Sequence, residues 1–320
     1  MRGRDQPQAG GGGAVAIGGA MCEFLSSQSG RESGVSLQDK MLAALAVPPE
    51  RLGAGSPVGL EVVADSAAML RHFADSMLAE YRAALAARRE RAVFIVPVGP
   101  VGQYDLLAER CNAERISLSR LVLLNMDEYL AEDGGFIDAD DRLSFRGHMA
   151  RHFFGKLDPA LAPPRDAVVF PDPRDPANVQ REIDRLGGVD VAYGGVGVTG
   201  HLAFNDPPEP DAPDDVVAFA ALPSRVVTLS RESLVINAVN GARGNFVMMP
   251  KRAVTVGMRE ILGARKVRVY MHRPYGATML RLLLHGPVTA RVPASLLQRH
   301  ADAAAIVTAE VTPLPEPPAG

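Results

Sequence analysis

The sequence predicts an α/β protein built on a doubly wound, mostly parallel open sheet with helices on both faces, Rossmann-like in plan. Three observations predict it. Apolar runs such as AVFIVPVG, residues 92–99, lack polar alternation and so have the pattern of strands buried on both faces. Segments with helical spacing separate these runs, giving the order strand, helix, strand, helix. Glycine-rich turns follow several strands, at the ends where open α/β sheets keep their ligands.

The elements follow in order. Residues 1–36 are rich in Gly, Ser, Gln and Arg without periodicity and read as a disordered leader, with Met21 an alternative start. Ser36 caps a short helix that must stop at Pro48 and Pro49, so 37–58 form a helical extension. A single domain then runs over 59–310, ahead of a proline-rich tail at 311–320. It begins with the strand LEVVA at 60–64 and the N-cap Asp65, followed by a helix with Leu70, Phe73, Met77, Tyr81 and Leu85 on one stripe. The arginines at 88–91 suit that helix's C-terminal dipole.

The strand at 92–96 ends in a Pro/Gly loop before a helix at about 103–112. Backbone groups there, Gly99 among them, can meet an anion, but 98–102 contains no Ser, Thr, Lys or Arg. A second buried strand, RLVLLN, runs into Asp127 and Glu128. Adjacent strand residues face opposite ways, so at most one of the two acids faces the pocket, the alternative being that one of the pair caps a turn; Asp127 is the candidate base. The segment 144–154 reads as a helix with His148 and His152 four apart. Met149 stands where a zinc-protease helix carries Glu, which favours surface or packing roles for both histidines. A helix at 178–186 and a strand at 189–193 lead into the glycine-rich stretch GGVGVTGHLAFNDPP, 194–208.

Four glycines leave that backbone free to approach a ligand, and His201, Asn205 and Asp206 follow at once. Gly195, Val196, Gly197, Thr199 and Asn205 are candidate substrate contacts, with His201 and Asp206 a proton-transfer pair. Residues 206–215 form a Pro/Asp-rich rim. Beyond it, 216–219, 225–229, 253–258, 266–271 and 303–308 read as strands and 275–284 as a helix. Arg225 is either an anion partner or an exposed edge residue.

Composition narrows the functions. The chain has 320 residues, 47% of them hydrophobic, and a formal net charge of -3. That field gathers neither nucleic acid nor anionic lipid. No stretch approaches a membrane span, and 14–22 is too short and glycine-broken for a signal peptide. Two cysteines, Cys22 and Cys111, are too few for a disulfide framework and fit a reducing cytoplasm.

NMDEYL at 125–130, GGVGVTGHLAFNDP at 194–207, RAVTVGMREIL at 252–262 and PASLLQRH at 293–300 together resemble, in order and spacing, the glucosamine-6-phosphate deaminase (isomerase) family. The 6-phosphogluconolactonases share that fold but differ after the His-x-Ala stretch. The resemblance implies that Asp127 moves a proton between C1 and C2 of an open-chain amino sugar. It implies that His201 assists ring opening, held by a carboxylate on either side. Here the first carboxylate is replaced by Thr199, and the second is Asp206 where the family usually has Glu, a reach shorter by about 1.5 Å. A weaker base, or one serving another proton, is the expected consequence.

The family's phosphate-binding Arg and Lys fall on Val239 and Gly276, and Pro100 removes a donor from the phosphate loop. The expected substrate is therefore an amino sugar or related sugar other than the usual 6-phosphate, with Arg225, Arg231 and Arg273 near enough in sequence to substitute. A lactonase-like hydrolase and a non-catalytic sugar sensor are the alternatives. The resemblance implies neither metal nor organic cofactor and leaves a homo-oligomer open.

Overall fold

The runs without polar alternation pair in register at the centre of a seven-stranded parallel sheet. The computed structural model describes residues 34–315, so most of the predicted leader, Cys22, Met21 and the end of the tail lie outside the described residues. In chain order the strands are β1 (Gly59–Val63), β2 (Ala92–Val96), β3 (Leu121–Asn125), β4 (Asp127–Leu130), β5 (Val168–Val169), β6 (Val191–Gly195), β7 (Arg225–Thr228), β8 (Arg252–Thr255), β9 (Lys266–Met271) and β10 (Ala303–Thr308). The large sheet has the order β1-β10-β9-β6-β2-β3-β5. A second, antiparallel sheet, β4-β8-β7, stands beside it.

The helices are α1 (Leu37–Leu45), α2 (Ser66–Ala86), α3 (Gln103–Glu114), α4 (Phe145–Met149), α5 (Asn178–Leu186), α6 (Val216–Ala220), α7 (Arg231–Gly241), α8 (Met258–Leu262) and α9 (Gly276–His285). A π-helical turn, Ala150–Phe154, continues α4, and a 3-10 helix spans Pro293–Arg299. Every residue of β2 and β3 is buried. Their side chains alternate between two cores, Val93, Ile95, Val122 and Leu124 on one face and Phe94, Val96, Leu121 and Leu123 on the other. Helix α2 covers the second face with Phe73, Met77 and Tyr81, capped as expected by Asp65 through the Ala68 N–H at 2.8 Å. Helices α5, α8 and α9 cover the first.

Three expectations are corrected. The segment 216–219 is helical, because Asp215 accepts from the Ala218 N–H at 2.9 Å and so caps a turn that buries Phe219 and Ala220. Strand and helix do not alternate throughout: β3 passes straight into β4, with Met126 bonding back to Val96 (2.9 Å) and receiving Val256 N–H (2.7 Å). Arg89 does more than complement a helix end, since its Nε lies 2.9 Å from Asp190, which in turn accepts from the Val93 N–H at 2.8 Å.

Arg281 of α9 is fully buried and gives hydrogen bonds to Val47 O, Ala277 O, Thr312 O and Pro313 O. It ties the chain on both sides of the domain to one helix. Arg281→Met fills similar volume but leaves these carbonyls without their charged donor, and should lower unfolding free energy by about 2–3 kcal/mol. Urea denaturation measures it; a midpoint unchanged from wild type would contradict this role.

Candidate active site

The chain reverses its direction across the sheet between β2 and β6, and a crevice opens there outside the carboxyl ends of the strands. The cleft holds about 250 Å³ and is floored by the loops after β2, β6 and β9. Gly99, Gly195, Val196 and Gly197 line it as the sequence suggested, together with Asp127 and His201.

Asp127 and Glu128 part company at the start of β4. Glu128 turns inward, fully buried, and accepts from the N–H groups of Tyr129 (2.9 Å), Phe145 (3.1 Å) and Arg146 (2.8 Å) and from Ser144 Oγ (2.9 Å). It thus caps α4 and brings Phe145 to the cleft wall. Asp127 turns the other way and faces the cleft, where no described residue donates to its carboxyl. Burial, and then the charge of Glu128, push its pKa up to about 8.

The glycine-rich loop is clamped at several points. Gly197 N–H bonds His201 O (2.9 Å), Gly200 turns with φ +80°, and its carbonyl accepts from Ala294 N–H (2.8 Å). Phe204 N–H reaches Thr255 Oγ1 at 3.1 Å. Distant segments at 252–262 and 293–300 therefore hold the loop in place. Asp206 Oδ1 lies 2.8 Å from His201 Nδ1, despite the shorter side chain. Thr199 Oγ1 lies 2.8 Å from the same nitrogen and donates to Asp206 Oδ1 at 3.1 Å. Burial alone would raise the Asp206 carboxyl. The hydrogen bond and charge of His201, with hydrogen bonds from Ser233 and Ser230, outweigh it and hold the group well below the usual carboxylate range.

Thr199 and Asp206 thus stand behind His201, and neither lines the cleft. Asn205 and Arg225, singled out as substrate contacts, are not brought to it either. Asn205 is fully buried, donating to Leu202 O and Val256 O and accepting from Arg225 Nη1 at 2.7 Å, so each satisfies the other within the scaffold. Arg231 is exposed; of the three arginines near in sequence, Arg273 alone lines the cleft. Beside it the His272 imidazole is lowered, first by burial and then by Arg273. Val239 is 59% exposed and outside the lining, whereas Gly276 is part of it.

Sequence reasoning missed Ser233, Asn237, Phe145 and Tyr275. Ser233 follows the N-cap Ser230, whose Oγ accepts its N–H at 3.1 Å, so its local signal is only that of a helix start. The rings of His148 and His152 stack at 4.3 Å, with His152 Nδ1 3.1 Å from Asp105. Among the described residues no group of three or more His, Cys, Asp or Glu could hold a metal ion, and no helix is long and apolar enough to cross a membrane. Cys111 is free and buried.

No protein-family model matches the chain. It is 31% identical over 176 residues to a glucosamine-6-phosphate deaminase of Caenorhabditis elegans, a match spanning 54% of this chain and 60% of that protein. A glucosamine-6-phosphate deaminase of Rhodopirellula baltica is 28% identical over 253 residues, covering 78% of this chain and 92% of its own length. The solved structure of a monomeric glucosamine-6-phosphate deaminase superposes with a TM-score of 0.66 at 23% identity, over 79% of this chain and 98% of that one. Solved 6-phosphogluconolactonases show the same fold. In sequence, then, the chain is similar to glucosamine-6-phosphate deaminases, and it has the fold that they share with the 6-phosphogluconolactonases.

Proposed function

We propose that the protein is an amino-sugar isomerase/deaminase that moves a proton between C2 and C1, and that its substrate lacks the 6-phosphate. One observation carries the reading: an enclosed carboxyl without a donor, Asp127, faces a cleft that is also lined by the Asp206-backed His201. Two titratable groups in contrasting environments are the equipment of acid/base chemistry.

His201 takes the proton of the C1 hydroxyl and returns it to the ring oxygen as the C1–O5 bond breaks, giving the open aldehyde. Asp127 then takes the C2 proton while the C1 carbonyl oxygen takes one from the C2 ammonium, forming an enolamine. The same carboxyl returns its proton to C1. Water adds to the resulting C2 imine, and ammonia leaves a ketose. A protonated amino group at C2 also favours the ionised form of Asp127, readying it as base.

The phosphate part rests on charge. Among the described residues lining the cleft, Arg273 is the one Lys or Arg, and it is exposed at the rim. The loop 97–100 contributes apolar side chains only. A dianion is poorly matched by one solvated guanidinium, which attracts it weakly compared with a buried bidentate pair. Incubation with glucosamine, glucosamine 6-phosphate and 6-phosphogluconolactone, with ammonia, ketose and acid measured, should give ammonia and ketose from the unphosphorylated amino sugar. Glucosamine 6-phosphate turning over with a much higher kcat/KM would overturn the phosphate claim, and acid from the lactone alone would overturn the deaminase.

A further inference from the structure

Three oxygen atoms crowd around Nδ1 of His201. Asp206 Oδ1 is 2.8 Å away, Thr199 Oγ1 2.8 Å and Ser233 Oγ 3.3 Å. Each hydroxyl has one proton to give. Thr199 gives its proton to Asp206 Oδ1 at 3.1 Å, and Ser233 gives its own to the same oxygen at 2.8 Å. Toward Nδ1 both hydroxyls can then only accept, as can the carboxylate. A lone pair on Nδ1 would face three acceptors and no donor, so Nδ1 must carry the proton.

We infer that Thr199 and Ser233 are positioning residues which, with Asp206, lock His201 in the Nδ1–H tautomer and leave Nε2 as the free acceptor at the cleft. Ser233 lies on α7, fully buried, far along the chain from the glycine-rich loop. The N-terminal turn of that helix adds the Ser230 N–H, 3.4 Å from Asp206 Oδ2. Nε2 packs beside Gly197, whose absent Cβ would fall 1.9 Å from it, and no described residue bonds to it. Two neutral hydroxyls therefore do by proton counting what a second carboxylate would do by charge. The dyad keeps one negative charge rather than two. The catalytic use of Nε2 rests on the deaminase reading above; the tautomer does not.

Ring nitrogens of a 15N-labelled protein report the tautomer directly, whatever the substrate. At a pH where the ring is neutral, wild type should show a protonated Nδ1 and an unprotonated Nε2 at His201. Thr199→Val with Ser233→Ala should give a mixture of both tautomers, and Thr199→Val with Ser233→Thr, which keeps the hydroxyl at 233, should restore the single Nδ1–H form. Turnover of any substrate found should fall roughly tenfold in Ser233→Ala and recover in Ser233→Thr. A wild-type ring protonated at Nε2 overturns the inference, as does a Thr199→Val, Ser233→Ala double variant that keeps the pure Nδ1–H form. If the double variant does not fold, the wild-type spectrum and the Ser233→Ala and Ser233→Thr pair decide. A correct tautomer without deaminase activity removes the proposed function and leaves this inference standing.

Discussion

Asp127→Asn should lower kcat on an amino-sugar substrate by roughly 10²–10⁴-fold, the range that positioned acid/base groups supply, and should abolish solvent deuterium incorporation at C2. Asparagine keeps the shape of the side chain and cannot hold the proton. The wild-type carboxyl has its pKa pushed up to about 8, first by burial and then by Glu128, so kcat/KM should rise with pH and bend near that value. Stability should show the opposite trend. Between the ordinary carboxyl pKa and the raised one, the folded state holds a proton that the unfolded state has lost, so wild-type stability falls as pH rises through this window and levels off above it. The variant has no such slope. Its melting temperature minus that of wild type should grow from pH 4 to 8 and then stay constant. Unchanged deuterium incorporation in the variant would remove Asp127 from the chemistry.

The large sheet was legible because its signals are local. The strand β2 is an uninterrupted apolar run and β3 is apolar up to Asn125, and Asp65 and Ser36 announce the helices that follow them through their own side chains. The small sheet was legible only in part: 225–229 and 253–258 read as strands, but β4 did not, and the pairing joins residues far apart in sequence, Asp127 with Thr255 and Arg225 with Thr255. Four-residue strands of that kind carry little periodicity. Segment 216–219 looked like a strand for the same reason, being too short for its helical spacing to outweigh two β-branched valines.

That Asp127 and His201 both line the cleft could be anticipated, because strand ends and glycine-rich turns announce themselves. The role of Asn205 could not. A polar residue next to the proposed proton-transfer pair looks like a ligand, and only the Arg225 guanidinium across the fold shows that its oxygen is already engaged. Ser233 was hidden in the opposite sense, since nothing local distinguishes it from any serine in a first helical turn. The segments 252–262 and 293–300, which carry part of the resemblance, clamp the loop through Thr255 Oγ1 and Ala294 N–H.

Gly197→Ala should inactivate the enzyme while leaving the fold intact. A Cβ on Gly197 would lie 1.9 Å from His201 Nε2, 2.1 Å from Cε1 and 2.4 Å from Cδ2, all of them ring atoms. Either the ring or the loop must move. The loop is fixed by the Gly197 N–H bond to His201 O and by the clamps at Gly200 and Phe204, whereas the imidazole can swing about two side-chain torsions. The ring therefore yields. It abandons Asp206, Thr199 and Ser233 and takes Nε2 out of place, and kcat should drop by about 10²-fold or more, as in His201→Ala. Unfolding free energy should change by no more than about 1 kcal/mol. Gly257→Ala is the contrasting control: its Cβ would lie 2.0 Å from Leu222 O, a backbone atom that cannot swing aside, so the same methyl group should unfold the protein. Because Gly197→Ala and His201→Ala act through one ring, the double variant should be no slower than either single variant. Losses that instead multiply would mean that Gly197 serves the substrate directly, through its own backbone, and not by making room for the histidine.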